Sequence, residues 1–213
     1  MIKNLFVLVC SLAIISCAGC KGNQESQEQE TQATAVAPLT VEQAISMDRE
    51  FMYLNHAKDY RWFETDLVLN DWFDSEGCDG SVESVLNVFQ TVIQCSETTY
   101  DTMVYKITHE KGESLVDSVH GFYVEAVILN EEDIKLTYKE AYEVTTKVNL
   151  PKPHSKHCTL YKPVGPVDCN PQYVFGNTKQ QIWVDAVTGE ATDSNPAFKG
   201  YESSFGKPLG EWP

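Results

Sequence analysis

The chain has 213 residues, with 31 Asp or Glu against 16 Lys or Arg, and its formal net charge is −15. Such an acidic surface excludes the common nucleic-acid-binding classes, because their affinity depends on cations that neutralise phosphates. It also gives no attraction to anionic lipid headgroups, so attachment to a membrane would need a feature other than surface charge.

The N-terminus has the pattern of an export signal. Lys3 is followed by the apolar run Leu5–Ile15, which is shorter than the roughly 20 residues that a helix needs to cross a bilayer. The sequence SCAGC comes next and resembles the signal of bacterial lipoproteins, in which a cysteine becomes the first mature residue and carries lipid. We predict a signal peptide over residues 1–16 and lipidation of Cys17, which has an aliphatic residue three positions earlier. Cys20 is the alternative site.

Residues 17–38 are predicted to form a disordered tether. They contain no aromatic residue and a single large aliphatic one, Val36, so they cannot bury enough apolar surface to offset the entropy of ordering. The signal and the tether together predict a protein of the bacterial cell envelope. We expect it to be held at the outer membrane by lipid alone, facing the periplasm or the exterior.

Two similar helix starts follow the tether. The sequences LTVEQA and LTYKEA begin at Leu39 and Leu136. In each, a threonine (Thr40 or Thr137) can cap the helix, and a Gln or Glu three residues later can complete a capping box. The second helix is expected to stop before Pro151, because proline disfavours helical backbone in the residue that precedes it.

Segments rich in Val, Thr, Tyr and Phe follow each helix start and are predicted to be strands. Residues 82–94 fit a strand by their β-branched content, although their apolar residues also fit one face of a helix. The order helix, strands, helix, strands predicts an α+β fold. We expect two tandem blocks, 39–133 and 134–213, each a helix packed on an antiparallel sheet.

The second block resembles a PepSY-type domain. In that family a Leu-Thr-x-x-x-Ala helix precedes a short antiparallel sheet that ends in Val-Asp-x-x-Thr-Gly, and here Leu136–Asp193 has LTYKEA and IWVDAVTGEATD. The resemblance implies protease regulation or inhibitor-like binding. The tandem layout is similar to β-lactamase-inhibitor proteins, whose joined sheets form a concave binding face, and the whole chain looks like lipoproteins of Bacteroides-type bacteria. Asp185 is interpreted as part of a fold marker rather than a site, with Gly189 supplying the turn.

Histidines and cysteines are densest around residues 154–169, where metal or small-molecule binding is the alternative function. His154 and His157 are weak metal candidates, because His157 and the next residue, Cys158, would point to opposite faces of a strand. Cys158 and Cys169 flank a Pro-Val-Gly-Pro turn signal, and a hairpin would bring them close enough for a disulfide. Two further cysteines, at positions 78 and 95, cannot pair if one strand separates them.

No motif for catalysis or phosphate binding is found, and we expect neither enzymatic activity nor a cofactor. Trp62, Trp72 and Phe73 belong to an aromatic-rich stretch, which is usually core packing but is also suited to partner contact. The sequence therefore predicts a lipid-anchored binding or interaction module for a protein or peptide partner. A contiguous exposed apolar patch is the structural feature that this hypothesis requires.

Overall fold

The computed structural model describes residues 39–56, 58–124 and 126–200, and these contain two α-helices and nine β-strands. The elements in chain order are α1 (Val41–His56), β1 (Tyr60–Leu69), β2 (Val82–Gln94), β3 (Tyr100–Glu110), β4 (Glu113–His120), β5 (Ala126–Val127), α2 (Tyr138–Lys147), β6 (His157–Pro163), β7 (Gln172–Asn177), β8 (Gln180–Asp185) and β9 (Ala191–Thr192). Short 3₁₀ turns lie at Glu131–Asp133 and Pro196–Phe198. Within the described residues, neither helix has the length and apolar content to cross a bilayer. The signal peptide, the tether, Cys17 and Cys20 lie outside the described residues.

All nine strands belong to one antiparallel sheet, so the prediction of two tandem helix-on-sheet blocks is wrong. The strand order is β4-β3-β2-β1-β6-β7-β8-β9, with β5 paired to β6. The junction is the pairing of β1 with β6, from Glu64↔Tyr161 to Val68↔His157. Joining these strands satisfies two rows of backbone groups that would otherwise be left at open edges.

Both helices pack on the same face of this sheet and share a single core. One row of buried side chains crosses six strands on that face and consists of His109, Val85, Leu67, Cys158, Phe175 and Ile182. The helix starts agree with the sequence prediction. The backbone N–H of Thr40 donates to Oε1 of Gln43 at 2.9 Å, and the backbone N–H of Gln43 donates to the Thr40 hydroxyl at 3.2 Å. Thr137 forms a complete capping box with Glu140.

Residues 82–94 form a strand, β2, as their β-branched content predicts. The strand pairs along its length with β3 and with β1 on its other side, so it lies inside the sheet. A residue is extra in β1 at Phe63, where the register with β2 shifts between Trp62 and Glu64. Such a bulge bends the strand and ends regular pairing locally.

Candidate functional site

Strand β4 forms one edge of the sheet and is exposed along its whole length. It pairs with β3 from Glu110↔Glu113 to Met103↔His120, and no described strand lies on its other side. All eight of its residues are exposed. The opposite edge is β9, which has only two residues. Among the described strands, β4 is therefore the long open edge.

The turn before β4 fixes which backbone groups face outward. Lys111 and Gly112 have φ of 52° and 80°, the left-handed values of a two-residue type I′ hairpin turn. In such a hairpin the flanking pair Glu110↔Glu113 is hydrogen-bonded, and bonded and non-bonded pairs then alternate along the ladder. Gly121 donates to the carbonyl of Thr102 at 3.0 Å, which fits this alternation. The N–H and C=O groups of Ser114, Val116 and Ser118 therefore point away from β3.

Large apolar side chains lie on β4 and on the segment that follows it. Their exposed fractions are 68% for Leu115, 43% for Val116, 54% for Val119, 75% for Phe122 and 76% for Val124. We call β4 together with Phe122 and Val124 the β4 edge surface. Natural sheets usually protect a free edge with Lys, Pro, a bulge or a covering element. This edge is open and carries exposed apolar residues, with Leu115 and Val119 on one face and Val116 on the other.

A buried polar network connects this edge to α1. Nε2 of His109 on β3 lies 2.8 Å from Oδ1 of Asp48, and Nδ1 of His109 lies 2.8 Å from Oγ of Ser114 on β4. Asn87 donates to Oδ2 of Asp48 at 2.7 Å, and the hydroxyl of Thr65 donates to Asn87. Asp48, Asn87 and Thr65 are all buried. Burial raises the pKa of Asp48, an effect that the bonds from Asn87 and His109 oppose.

The Ser114–His109–Asp48 chain meets the distance test for a nucleophile, a base and an acid. However, Ser114 lies within a regular, exposed strand at the edge of the sheet. The geometry instead satisfies the polar groups of a buried carboxylate and holds β3 and β4 against α1.

Asp185, at the end of β8, stabilises the turn that follows it. Its Oδ1 accepts bonds from the backbone N–H groups of Val187 and Thr188 at 2.8 and 2.9 Å, and Asn170 donates to its Oδ2 at 2.9 Å. Burial would raise the pKa of this carboxyl, but these bonds outweigh burial and lower it. Gly189 has φ of 74°, the left-handed value that its position in the motif predicts. Asp185 is thus fully occupied in a turn.

The structure separates the predicted disulfide partners, Cys158 and Cys169, and both are free thiols. Cys158 on β6 is paired with Phe175 on β7. The pairing of these two strands ends three residues further along β6, at Tyr161↔Gln172, and Cys169 lies in the loop beyond that last pair. Three residues of strand span about 10 Å, more than a disulfide tolerates. The predicted disulfide is therefore wrong. Burial raises the pKa of both thiols.

The histidine candidates do not form a metal centre with these cysteines. His154 lies 3.0 Å from Asp74 and stacks on Trp72 with ring centroids 4.1 Å apart. His157 is exposed on β6, whereas its neighbour Cys158 is fully buried. Within the described residues, no three His, Cys, Asp or Glu side chains are grouped as metal ligands.

The aromatic candidates divide between core and surface. Trp62 and Phe73 are 3% and 2% exposed and pack in the core, which is the usual assignment for such a stretch, whereas Trp72 is 46% exposed. Sequence reasoning missed the β4 edge surface and the Asp48 network. Hydrophobic alternation does not show which strand ends a sheet, and no local pattern links Asp48 to His109, which is 61 residues away.

Comparison with protein-family models, with curated proteins and with solved structures finds no match for this chain. The resemblance to PepSY-type domains therefore stays a prediction from the residues at Leu136–Asp193.

Proposed function

We propose that this chain is a lipid-anchored, non-enzymatic binding module of the bacterial cell envelope, which pairs with an extended segment of a partner protein along β4. The exposed β4 edge carries this proposal. Its outward N–H and C=O groups at Ser114 and Val116 can form a ladder with one more strand, which is an established mode of peptide recognition. Neighbouring side chains would then supply specificity.

The chemistry of β4 indicates the chemistry of the partner. Every second side chain of β4 lies on the same face of the strand. On one face these are Glu113, Leu115, Asp117 and Val119, and all four are exposed. Side chains directly opposite each other in an antiparallel pair interact, and opposite charges are favourable. A partner strand that alternates apolar with basic residues would complement this face. The net charge of −15 also favours a basic partner.

Binding of an extended basic and apolar peptide is tested with a displayed library of random decapeptides, selected on the full chain. We expect enriched sequences in which apolar residues alternate with Lys or Arg. Replacing Leu115 or Val119 with Lys is expected to lower the affinity for the enriched peptides by about tenfold or more. The substitution removes an apolar contact and adds a positive charge that repels the basic residues of the peptide. Fluorescence polarisation with a labelled peptide gives the dissociation constants.

Leu54→Lys is the matched control, because Leu54 is 74% exposed on α1, outside the β4 edge surface. Its affinity is expected to stay within about twofold of the parent chain. Failure to enrich any peptide, or equal weakening by the variants at Leu54 and Leu115, would contradict pairing along β4.

The lipid anchor is tested by mass spectrometry of the N-terminal peptide from membrane-extracted protein. The proposal expects a mature chain that begins at Cys17, or at Cys20, with diacylglycerol on the sulfur. Cys17→Ser is expected to abolish the modification if Cys17 is the site, and Cys20→Ser serves as the reciprocal control. An unmodified N-terminus at another residue would overturn the anchor without affecting the β4 edge surface.

A further inference from the structure

A cavity with a volume of about 850 Å³ lies beside the first half of β1. It exists because β6 pairs with β1 only over Glu64–Val68, which leaves the start of β1 without that neighbour. Leu129 closes part of the gap by an isolated bridge to Trp62, with its N–H donating to the Trp62 carbonyl at 2.8 Å. We call this space the β1 groove. It shares no residue with the β4 edge surface.

Three cations line the β1 groove, although the chain as a whole is strongly acidic. They are Arg49 on α1, Lys58 before β1, and Arg61 on β1. Two carboxylates, those of Glu131 and Glu132, line the groove as well. Arg49 and Arg61 are the only arginines among the 213 residues. Arg49 is paired with Glu131, whereas neither Lys58 nor Arg61 has an acidic partner within salt-bridge distance among the described residues.

Three aromatic residues also line the β1 groove. Tyr53 is 52% exposed on α1, Tyr60 is half-buried on β1, and the buried Trp62 also lines the groove. Faces of aromatic side chains pack well against flat rings and apolar sugar faces, and tyrosine hydroxyls add hydrogen bonds. Cations in the same groove as such faces suit a ligand that carries both an anionic group and a ring.

We infer that the β1 groove binds a small organic anion, with a carboxylate or phosphate held by Arg61 and Lys58 and a ring lying against Tyr53. The guanidinium fork of arginine matches the two oxygens of a carboxylate or phosphate. The Arg49–Glu131 pair forms part of the wall. This site goes beyond the proposed partner binding and does not depend on it.

The inference is tested by NMR titration of the full chain with three ring probes: glucose, glucuronate and glucose 6-phosphate. Glucose is the neutral control, and the two anions separate carboxylate from phosphate recognition. At least one anion is expected to bind about tenfold more tightly than glucose, the size expected from one or two charged hydrogen bonds. Raising the salt concentration should weaken that preference.

Arg61→Gln and Lys58→Gln are each expected to lower the affinity for the anion by about tenfold and to leave the thermal unfolding temperature unchanged. Lys106→Gln is the matched control, because Lys106 is an exposed lysine on β3 outside the groove. If Lys106→Gln weakened anion binding as much as Arg61→Gln does, the attraction would be a non-specific effect of charge, and the proposed site would be wrong. Binding of glucose as tight as that of both anions, or no binding of any probe, would overturn it too.

Discussion

Replacing Asp48 with Ala is expected to lower the free energy of unfolding by about 2–4 kcal/mol. The substitution leaves two buried donors without an acceptor, Nδ2 of Asn87 and Nε2 of His109, and each such donor costs about 1–3 kcal/mol. Removal of a costly buried carboxylate offsets part of that loss. Urea unfolding at neutral pH, followed by tryptophan fluorescence, measures the change.

Glu50→Ala is the matched control for Asp48→Ala, because Glu50 lies on the same helix but is exposed. It is expected to change stability by less than about 0.5 kcal/mol. The double variant Asp48→Ala with His109→Ala should be less destabilised than the sum of the single variants, since both single variants break the same bond. Equal effects of Asp48→Ala and Glu50→Ala would show that the network does not hold β3 and β4 to α1.

Phe175→Ala is expected to cost more, about 3–5 kcal/mol, because a large side chain is removed from a fully buried position. Phe175 on β7 is 0% exposed. Its ring centroid lies 5.4 Å from Phe73, 6.1 Å from Tyr138 and 6.2 Å from Tyr142. It therefore ties α2 and the loop before β2 to the sheet. A loss of this size is a large fraction of the roughly 5–15 kcal/mol that stabilises a domain.

Phe122→Ala makes the same truncation at a site that is 75% exposed. We expect it to leave the unfolding free energy within about 0.5 kcal/mol of the parent chain and to weaken the peptide bound at the β4 edge surface. The pair of variants thus separates packing from binding. A strong loss of stability in Phe122→Ala, or little loss in Phe175→Ala, would contradict the assignment of these two residues to surface and core.

Local signals in the sequence predicted local structure well. The capping threonines, Thr40 and Thr137, mark both helix starts, and Gly189 has the left-handed backbone that its turn requires. The β-branched content of residues 82–94 also predicted β2 correctly. Each of these features depends on interactions between residues close in the chain, so a pattern of a few residues carries the information.

Features that depend on distant pairing were not predictable in this way. The joining of β1 to β6 made one sheet of the expected two blocks, and the register of β6 with β7 placed Cys158 away from Cys169. A shift of register moves every side chain to a new neighbour, and the sequence of one strand does not specify that shift. Likewise, Trp62 and Phe73 were open to either assignment until the core around them was known.

The candidate site combines both kinds of information. Exposed apolar residues such as Leu115 and Val119 are visible in the sequence, but their meaning depends on β4 being the last strand of the sheet. The same holds for the β1 groove, since Arg49 and Arg61 lie on different elements. In both cases the topology, rather than a motif, brings the functional groups to one surface.

Amide hydrogen exchange, measured by NMR with and without a selected peptide, tests pairing along β4 most directly. Binding is expected to slow exchange at Ser114 and Val116, whose N–H groups face outward, by about tenfold or more. Exchange at Leu115 and Asp117, which already pair with β3, should stay slow and unchanged. A bound peptide that leaves Ser114 and Val116 unprotected would contradict strand addition at this edge.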